Sequence, residues 1–201
     1  MSLFPLFLKL EGRCCLVVGA GVVAESKIKS LLDAGAEIHV VAPEATAGIR
    51  RWADRGVIAW KQQAFSADDL AGAVLVITAT SSPGVNEAVF QEARRRGVLC
   101  NSVDDPKRCD FYYGALVRRG DLQIAISTAG HSPALAQRLR LRLEAQFGPE
   151  YGRWLDQLGR IRQQLLRSNI NPEERKAVLH RLASQEAFDA DDFASKQRSS
   201  V

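Results

Sequence analysis

The sequence predicts an α/β protein: a Rossmann-type parallel sheet covered by helices, then a hairpin–helix segment, then a small C-terminal helical domain. Three observations carry this expectation. Short apolar runs alternate with helical patterns from Cys14 to Val103, as in a parallel sheet packed on both faces. A glycine-rich G-x-G-x-x-A stretch, Gly19 to Ala24, joins the first apolar run to the first helical pattern. After Phe111 the pattern changes to a strand pair followed by helices. The expected boundaries are 1–112, 113–149 and 150–201.

The elements follow in order. Cys14 to Val18 (CCLVV) reads as a buried strand, and the helix after it carries Val23, Ile28, Leu31 and Leu32 near helical spacing, with Gly35 as its stop. Glu37 to Val41 is a second strand, Ile49 to Asp54 a short helix, Val57 to Trp60 a third strand and Val74 to Ala79 a fourth. Asn86 to Arg96 is helical up to Gly97, and Val98 to Val103 is a fifth strand. Tyr113 to Arg118 and Leu122 to Ser127 flank Gly120-Asp121, a two-residue loop suited to a type II′ hairpin turn. Ser132 and Pro133 supply the N-cap and first residue of a helix through Phe147. Helices continue from Tyr151 to about Leu182 with a break near Asn169 to Pro172, and the polar tail from Asp189 is expected to fray.

Composition excludes several classes. The 201 residues are 46% hydrophobic and 25% charged, ordinary for a globular domain and unlike a disordered or collagen-like chain. No apolar run approaches the ~18 residues of a membrane span. The opening MSLFPLFLKL is apolar but short, without a basic region or small-residue cleavage site, and is not read as a signal peptide. Cys14, Cys15, Cys100 and Cys109 form no C-x-x-C pair, and three of them lie in or beside apolar runs. Buried thiols in a reducing cytoplasm are therefore expected. His39, His131 and His180 form no ligand pattern with one another or with cysteine, so no preformed metal site is expected.

The glycine loop is the strongest chemical signal. Gly19 allows the tight turn, Gly21 lets the backbone approach a pyrophosphate at the helix N-terminus, and Ala24 permits close helix–sheet packing. The second strand ends in Val41-Ala42-Pro43-Glu44. It has no acid at its immediate tip to bind a ribose, and no arginine there to hold a 2′-phosphate. NAD is favoured over NADP.

Ligands of such sheets bind beyond the carboxyl ends of the strands. Thr80 and Asn101 stand there, as lining of the nicotinamide-ribose side or as turn and capping residues. Asp104 and Asp105 follow the fifth strand. In an extended segment they point opposite ways, so one carboxylate faces the cleft and can accept a proton while a hydride leaves; the other reading is an Asp-Pro turn.

The whole-chain charge is only +4, from 27 basic and 23 acidic residues. Lys107, Arg108, Arg118, Arg119, Arg138, Arg140 and Arg142 face only Asp110 and Asp121, which concentrates five positive charges in this segment. Arginine pairs with carboxylate or phosphate, so the segment fits a polyanion or a solvated surface. The segment shows no nucleic-acid-binding module and no aromatic stacking pattern, so nucleic acid is not expected. Lys107, Arg108, Arg118, Arg119 and Arg138 are the candidate substrate contacts. His131 and Ser132 join them at the start of the following helix, where a capping role is the alternative.

The stretch FPLFLKLEGRCCLVVGAGVVAESKIKSLLDAGAEIHVVAP, with ITATSSPGVNEAV, CNSVDDPKRCDF and LQIAISTAGHSPALAQRLRLRLE following in order, resembles the siroheme-synthase-type family of precorrin-2 dehydrogenases and sirohydrochlorin ferrochelatases over residues 3–150. The resemblance implies NAD-dependent oxidation of precorrin-2 to sirohydrochlorin, ferrous iron as the substrate of an added chelatase activity, and a homodimer interlocked through residues 113–149. It places the family's key carboxylate on Asp104 and its cofactor contacts on Val22, Val23, Pro43 and Glu44. Asp105 and His131 fall at variable positions, so no role carries over to them. Precorrin-2 bears eight carboxylates, which suits the basic segment. Chelation needs no protein metal ligand where the macrocycle supplies the nitrogens. The chain stops at Val201, leaving no length for the methyltransferase half of fused members, so methylation is expected of another protein. Two alternatives stand beside this: a dehydrogenase of another polyanion, and a non-catalytic NAD-sensing regulator.

Overall fold

The computed structural model describes residues 3–190. These divide into two compact units, the break falling between Tyr112 and Tyr113. The segments 113–149 and 150–190 lie in one unit.

The first unit is a five-stranded parallel sheet ordered β3-β2-β1-β4-β5, from β1 (Cys14–Val18), β2 (Glu37–Val41), β3 (Ala59–Lys61), β4 (Leu75–Thr78) and β5 (Leu99–Ser102). The two-residue period of a strand sends alternate side chains to opposite faces, and both faces are buried. Cys15, Val17, Leu75 and Ile77 join the cluster completed by Ala24, Ile28 and Leu31 of α1 (Val22–Leu32) and Ile49 of α2 (Ala47–Asp54). Leu16, Val18, Val76 and Cys100 join the opposite cluster with Val89, Phe90 and Ala93 of α3 (Pro83–Arg96). Strands buried on both sides explain the unbroken apolar runs in the sequence.

Local chemistry moves several boundaries. The third strand begins at Ala59, not Val57, because the Val57 N–H is donated to the Trp52 carbonyl in closing α2. Helix α3 begins at Pro83, not Asn86: Ser82 caps it by accepting from the Val85 N–H, and proline is pre-set for the first helical position. A 3₁₀ turn at Ala67–Leu70, not anticipated from the sequence, is held by a reciprocal capping box between Ser66 and Asp69. The Asp104-Asp105 segment is not extended, since Asp104 has φ +60° and a 3₁₀ turn, Pro106–Arg108, follows.

The second unit begins with an antiparallel hairpin of β6 (Ala115–Arg119) and β7 (Leu122–Ile126). Its loop has a positive φ at Gly120 but not at Asp121, the type II′ pattern. Helices α4 (Pro133–Gln146), α5 (Glu150–Arg167) and α6 (Pro172–Leu182) follow. Gly152 lets α5 lie directly on the hairpin turn, where an added Cβ would stand 3.0 Å from the Arg119 carbonyl oxygen. Tyr151 stacks on Phe188 with ring centroids 4.2 Å apart, and Phe147 and Trp154 pack edge-on around them. Asp189 is helical, against the expected fraying; the tail from 191 lies outside the described residues. Among the described residues, no helix is long and apolar enough to cross a membrane.

Candidate functional site

The glycine loop leaves β1 at the carboxyl rim of the sheet. Gly19 has φ +100° and donates its N–H to Val41 O at 2.9 Å. A Cβ there would stand 2.4 Å from the Ala79 carbonyl oxygen, so only glycine fits. Gly21 is the N-cap of α1, without a side-chain cap, and a Cβ added to it meets nothing within 4 Å. The first N–H groups of α1 thus meet no capping side chain, and the space above Gly21 is open. That is the arrangement a pyrophosphate needs: free donors, the positive end of a helix dipole, and room for backbone contact. Ala24 is fully buried against the sheet, while Val22 and Val23 are exposed on the loop side. The β2–α2 loop is tied to this one by the Thr46 N–H on Ala20 O at 3.0 Å, which sets exposed Pro43 and Glu44 beside it. The residues present therefore fit a dinucleotide.

The next strand ends do different work. The Thr80 hydroxyl donates to Asn86 Oδ1 at 2.7 Å and accepts from the Ser82 N–H at 3.1 Å. Asn101 is 7% exposed and donates its amide to Phe111 O at 2.8 Å. Of the two sequence readings, the turn-and-capping one describes both side chains: Thr80 shapes the entry to α3, and Asn101 holds residues 109–111 against β5.

Past β5 the two aspartates separate. Asp104 is exposed, in left-handed backbone. Asp105 turns inward, accepting from the Lys107 N–H at 3.2 Å and pairing with Arg108. Arg108 also pairs with Glu87 of α3. Glu87 is held below the ordinary carboxylate range by hydrogen bonds from Gln91 and then Arg108. Lys27 of α1 is half-buried; burial lowers its pKa against the opposing pull of the Asp104 carboxylate. Sequence reasoning missed Lys27 and Glu87. The available signal for Lys27 was its place four residues after Val23, on the same stripe of α1.

The basic segment is divided between the two units. Lys107 and Arg108 belong to the first unit, and Arg118, Arg119, Arg138, Arg140 and Arg142 to the second. Arg108 is spent on two carboxylates. Arg119 caps the C-terminus of α4, with Nε on Phe147 O at 2.7 Å and Nη2 on Glu144 O at 3.0 Å, and Arg140 pairs with Glu144. Each of these three guanidiniums is engaged with groups of its own chain. Lys107, Arg118 and Arg138 are exposed, as is His131. Ser132 caps α4 by accepting from the Leu135 N–H at 3.2 Å.

No group of three His, Cys, Asp or Glu able to hold a metal occurs among the described residues. All four cysteines are free. Burial pushes the Cys15 thiol up to about 11 and the Cys100 thiol up to about 12, so neither is a nucleophile at neutral pH.

Comparison with known proteins places this geometry. Residues 6–115 match a family described as "Putative NAD(P)-binding", and residues 119–146 match "Sirohaem biosynthesis protein central". A siroheme synthase of Nitrosococcus oceani is 42% identical over 153 residues, covering 76% of this chain and 33% of the relative. Siroheme synthase 2 of Yersinia enterocolitica is 41% identical over 165 residues, 82% of this chain and 35% of the relative. The chain spans about a third of the length of these curated relatives. A solved structure of SirC, precorrin-2 dehydrogenase, superposes with a TM-score of 0.81 at 28% identity, covering 92% of each chain.

Proposed function

The chain belongs to the NAD(P)-binding family matched by residues 6–115, and on that premise we propose that it is an NAD-dependent precorrin-2 dehydrogenase of siroheme biosynthesis. One observation carries the reading. An uncapped, open-topped glycine loop and an exposed carboxylate, Asp104, stand at the ends of strands in one parallel sheet. The likeness to SirC over nearly the whole of both chains supports the choice of substrate.

Oxidation of precorrin-2 to sirohydrochlorin removes a hydride and a proton. NAD, when bound, supplies the hydride acceptor. The backbone N–H groups of Val22, Val23 and Ala24 would hold its pyrophosphate, with Gly19 and Gly21 keeping that approach clear. Pro43 and Glu44 would flank the adenosine side. Exposed Glu44 disfavours a second phosphate there, which supports NAD over NADP. Asp104 is the proton acceptor. Lys27 lies within reach of its charge: burial lowers the Lys27 pKa and the Asp104 carboxylate opposes that shift.

Lys107, Arg118, Arg138 and His131 are the exposed groups we assign to substrate carboxylates, with Ser132 shaping the helix start. The chain is proposed to act as a cytoplasmic homodimer through residues 113–149, and its apolar surface at Leu116, Leu135 and Leu141 supports that. Ferrous iron is a substrate in the second, chelatase step of the same proposal. There the macrocycle supplies the nitrogens and Asp104 takes their protons.

The test is anaerobic incubation of the purified protein with precorrin-2 and NAD, following NADH fluorescence and the spectrum of sirohydrochlorin, then adding ferrous iron. Stoichiometric NADH and sirohydrochlorin are expected. Their absence overturns the reading. Asp104→Asn should abolish turnover while NAD affinity stays within about twofold, since a charge is lost without a change of shape. Full turnover in this variant removes Asp104 from its role.

A further inference from the structure

The loop that carries Asp104 is held more tightly than a surface loop requires. The Asp105 N–H is donated to Ser102 O at 3.1 Å. The Cys109 thiol lies 3.2 Å from both Ser102 O and Asp105 O. Asp105 accepts from the Lys107 N–H, and Arg108 ties Asp105 to Glu87 on α3. At the centre of this stapling, Asp104 has φ +60°. Apart from Ala129, it is the one non-glycine residue with positive φ among those described. A side-chain-bearing residue stays in that region only where its surroundings over-determine it. The left-handed turn reverses the alternation of the strand, so Asp104 is exposed at the rim while its neighbour Asp105 faces α3.

We propose that Arg108 is a positioning residue. By bridging Asp105 to Glu87, its guanidinium locks the 102–109 loop into the turn that presents the Asp104 carboxylate. The planar fork of arginine reaches two carboxylates at once, which the single ammonium of lysine does not reproduce. This rests on the reading of Asp104 as the proton acceptor, and it withdraws Arg108 from the substrate contacts. Glu87 acts in the same network: it fixes the far end of the fork to a helix of the sheet layer, so the loop is referenced to the fold.

The experiment compares Arg108→Ala, Arg108→Lys, Glu87→Gln and the control Arg95→Ala, which removes a cation paired to Glu92 on the far part of α3. In Arg108→Ala, kcat for precorrin-2 is expected to fall roughly 10- to 100-fold through misplacement of the carboxylate, with KM and NAD affinity within about twofold. Arg108→Lys should recover only part of that loss, and Glu87→Gln, the gentlest change, should show a smaller fall in kcat of the same kind. Arg95→Ala should behave as the parent.

A rise in KM at unchanged kcat makes Arg108 a substrate ligand and overturns the proposal. Unchanged kinetics in both Arg108→Ala and Glu87→Gln overturn it as well. A second readout needs no turnover: the backbone chemical shifts and φ-dependent coupling of Asp104, by NMR. They should leave left-handed values in Arg108→Ala and keep them in Arg95→Ala. Left-handed values retained in Arg108→Ala defeat the positioning role even if precorrin-2 is not the substrate. Failure of the parent protein to oxidise precorrin-2 strikes the functional reading and leaves this measurement standing.

Discussion

The two units of the chain differ in the size of the core that each one buries. Among the described residues, all but three of the buried hydrophobic ones lie in the first unit; Val117, Ala136 and Phe188 are those of the second. The first unit closes a core on both faces of its sheet. The second holds together through an aromatic cluster, a hairpin and an arginine cap, with Leu116, Leu135 and Leu141 exposed; the first also exposes apolar side chains, Phe4, Leu6 and Phe7 near its start and Val22 and Val23 on the glycine loop. The glycine loop lies in the first unit and the proposed dimer segment, residues 113–149, in the second.

Substitutions can break this contrast. The largest effect is expected in the first core. Ile77 is fully buried, and Ile77→Ala should cost about 4 kcal/mol in urea unfolding. Leu141→Ala should leave that transition in place and weaken the proposed dimer, read by sedimentation at several concentrations. An equal loss of first-unit stability in Leu141→Ala would erase the distinction.

Next comes the glycine loop. Gly19→Ala forces a Cβ against the Ala79 carbonyl and should cost roughly 3 kcal/mol and abolish NAD binding. Gly21→Ala has open space, so stability should hold while NAD affinity falls, measured by calorimetry. Equal stability losses in the two variants would remove the ligand from the account of Gly21.

Arg119→Ala uncovers the carbonyls at the end of α4 and should cost about 1–2 kcal/mol, confined to the second unit. Amide exchange of α4 against β4 reports it.

The smallest effect is electrostatic. The Asp69 side chain is 3% exposed and bonded to Lys61 Nζ at 2.9 Å and to the Ser66 N–H at 2.9 Å. Burial pushes its pKa up, but these bonds outweigh that and hold it below the usual range. A depressed carboxylate contributes its stability above the unfolded value near pH ~4 and loses it as pH falls through the folded value. Lys61 is raised by the same partner, so its share is lost only in strong alkali. Stability should therefore be flat at neutral pH and decline below about pH 4, by roughly 1 kcal/mol less in Asp69→Asn. An unchanged acid limb in that variant removes the pair from the balance.

The strands of the first unit were legible because both faces of the sheet are buried, which writes Cys14–Val18 and Leu75–Thr78 as plain apolar runs. The glycine loop was legible because close backbone approach admits few residue types. Less visible was the use of each polar side chain. Thr80, Asn101, Arg108 and Arg119 have the right chemistry for a ligand, but each spends it on a carbonyl or carboxylate brought near by folding. Arg119 meets Phe147 across 28 residues of sequence and Arg108 meets Glu87 across 21; no local pattern encodes such distant partners.

By itself, then, the sequence determined the α/β class, the order of the elements and the dinucleotide loop. These depend on side-chain periodicity and on glycine, properties of neighbouring residues. Tertiary structure alone decided which aspartate is exposed and which arginines remain available. Asp104 and Asp105 are identical in chemistry and adjacent in sequence. They are told apart by a left-handed turn and by an arginine whose second partner sits on another helix, because a hydrogen bond is claimed by whichever group the fold brings within reach.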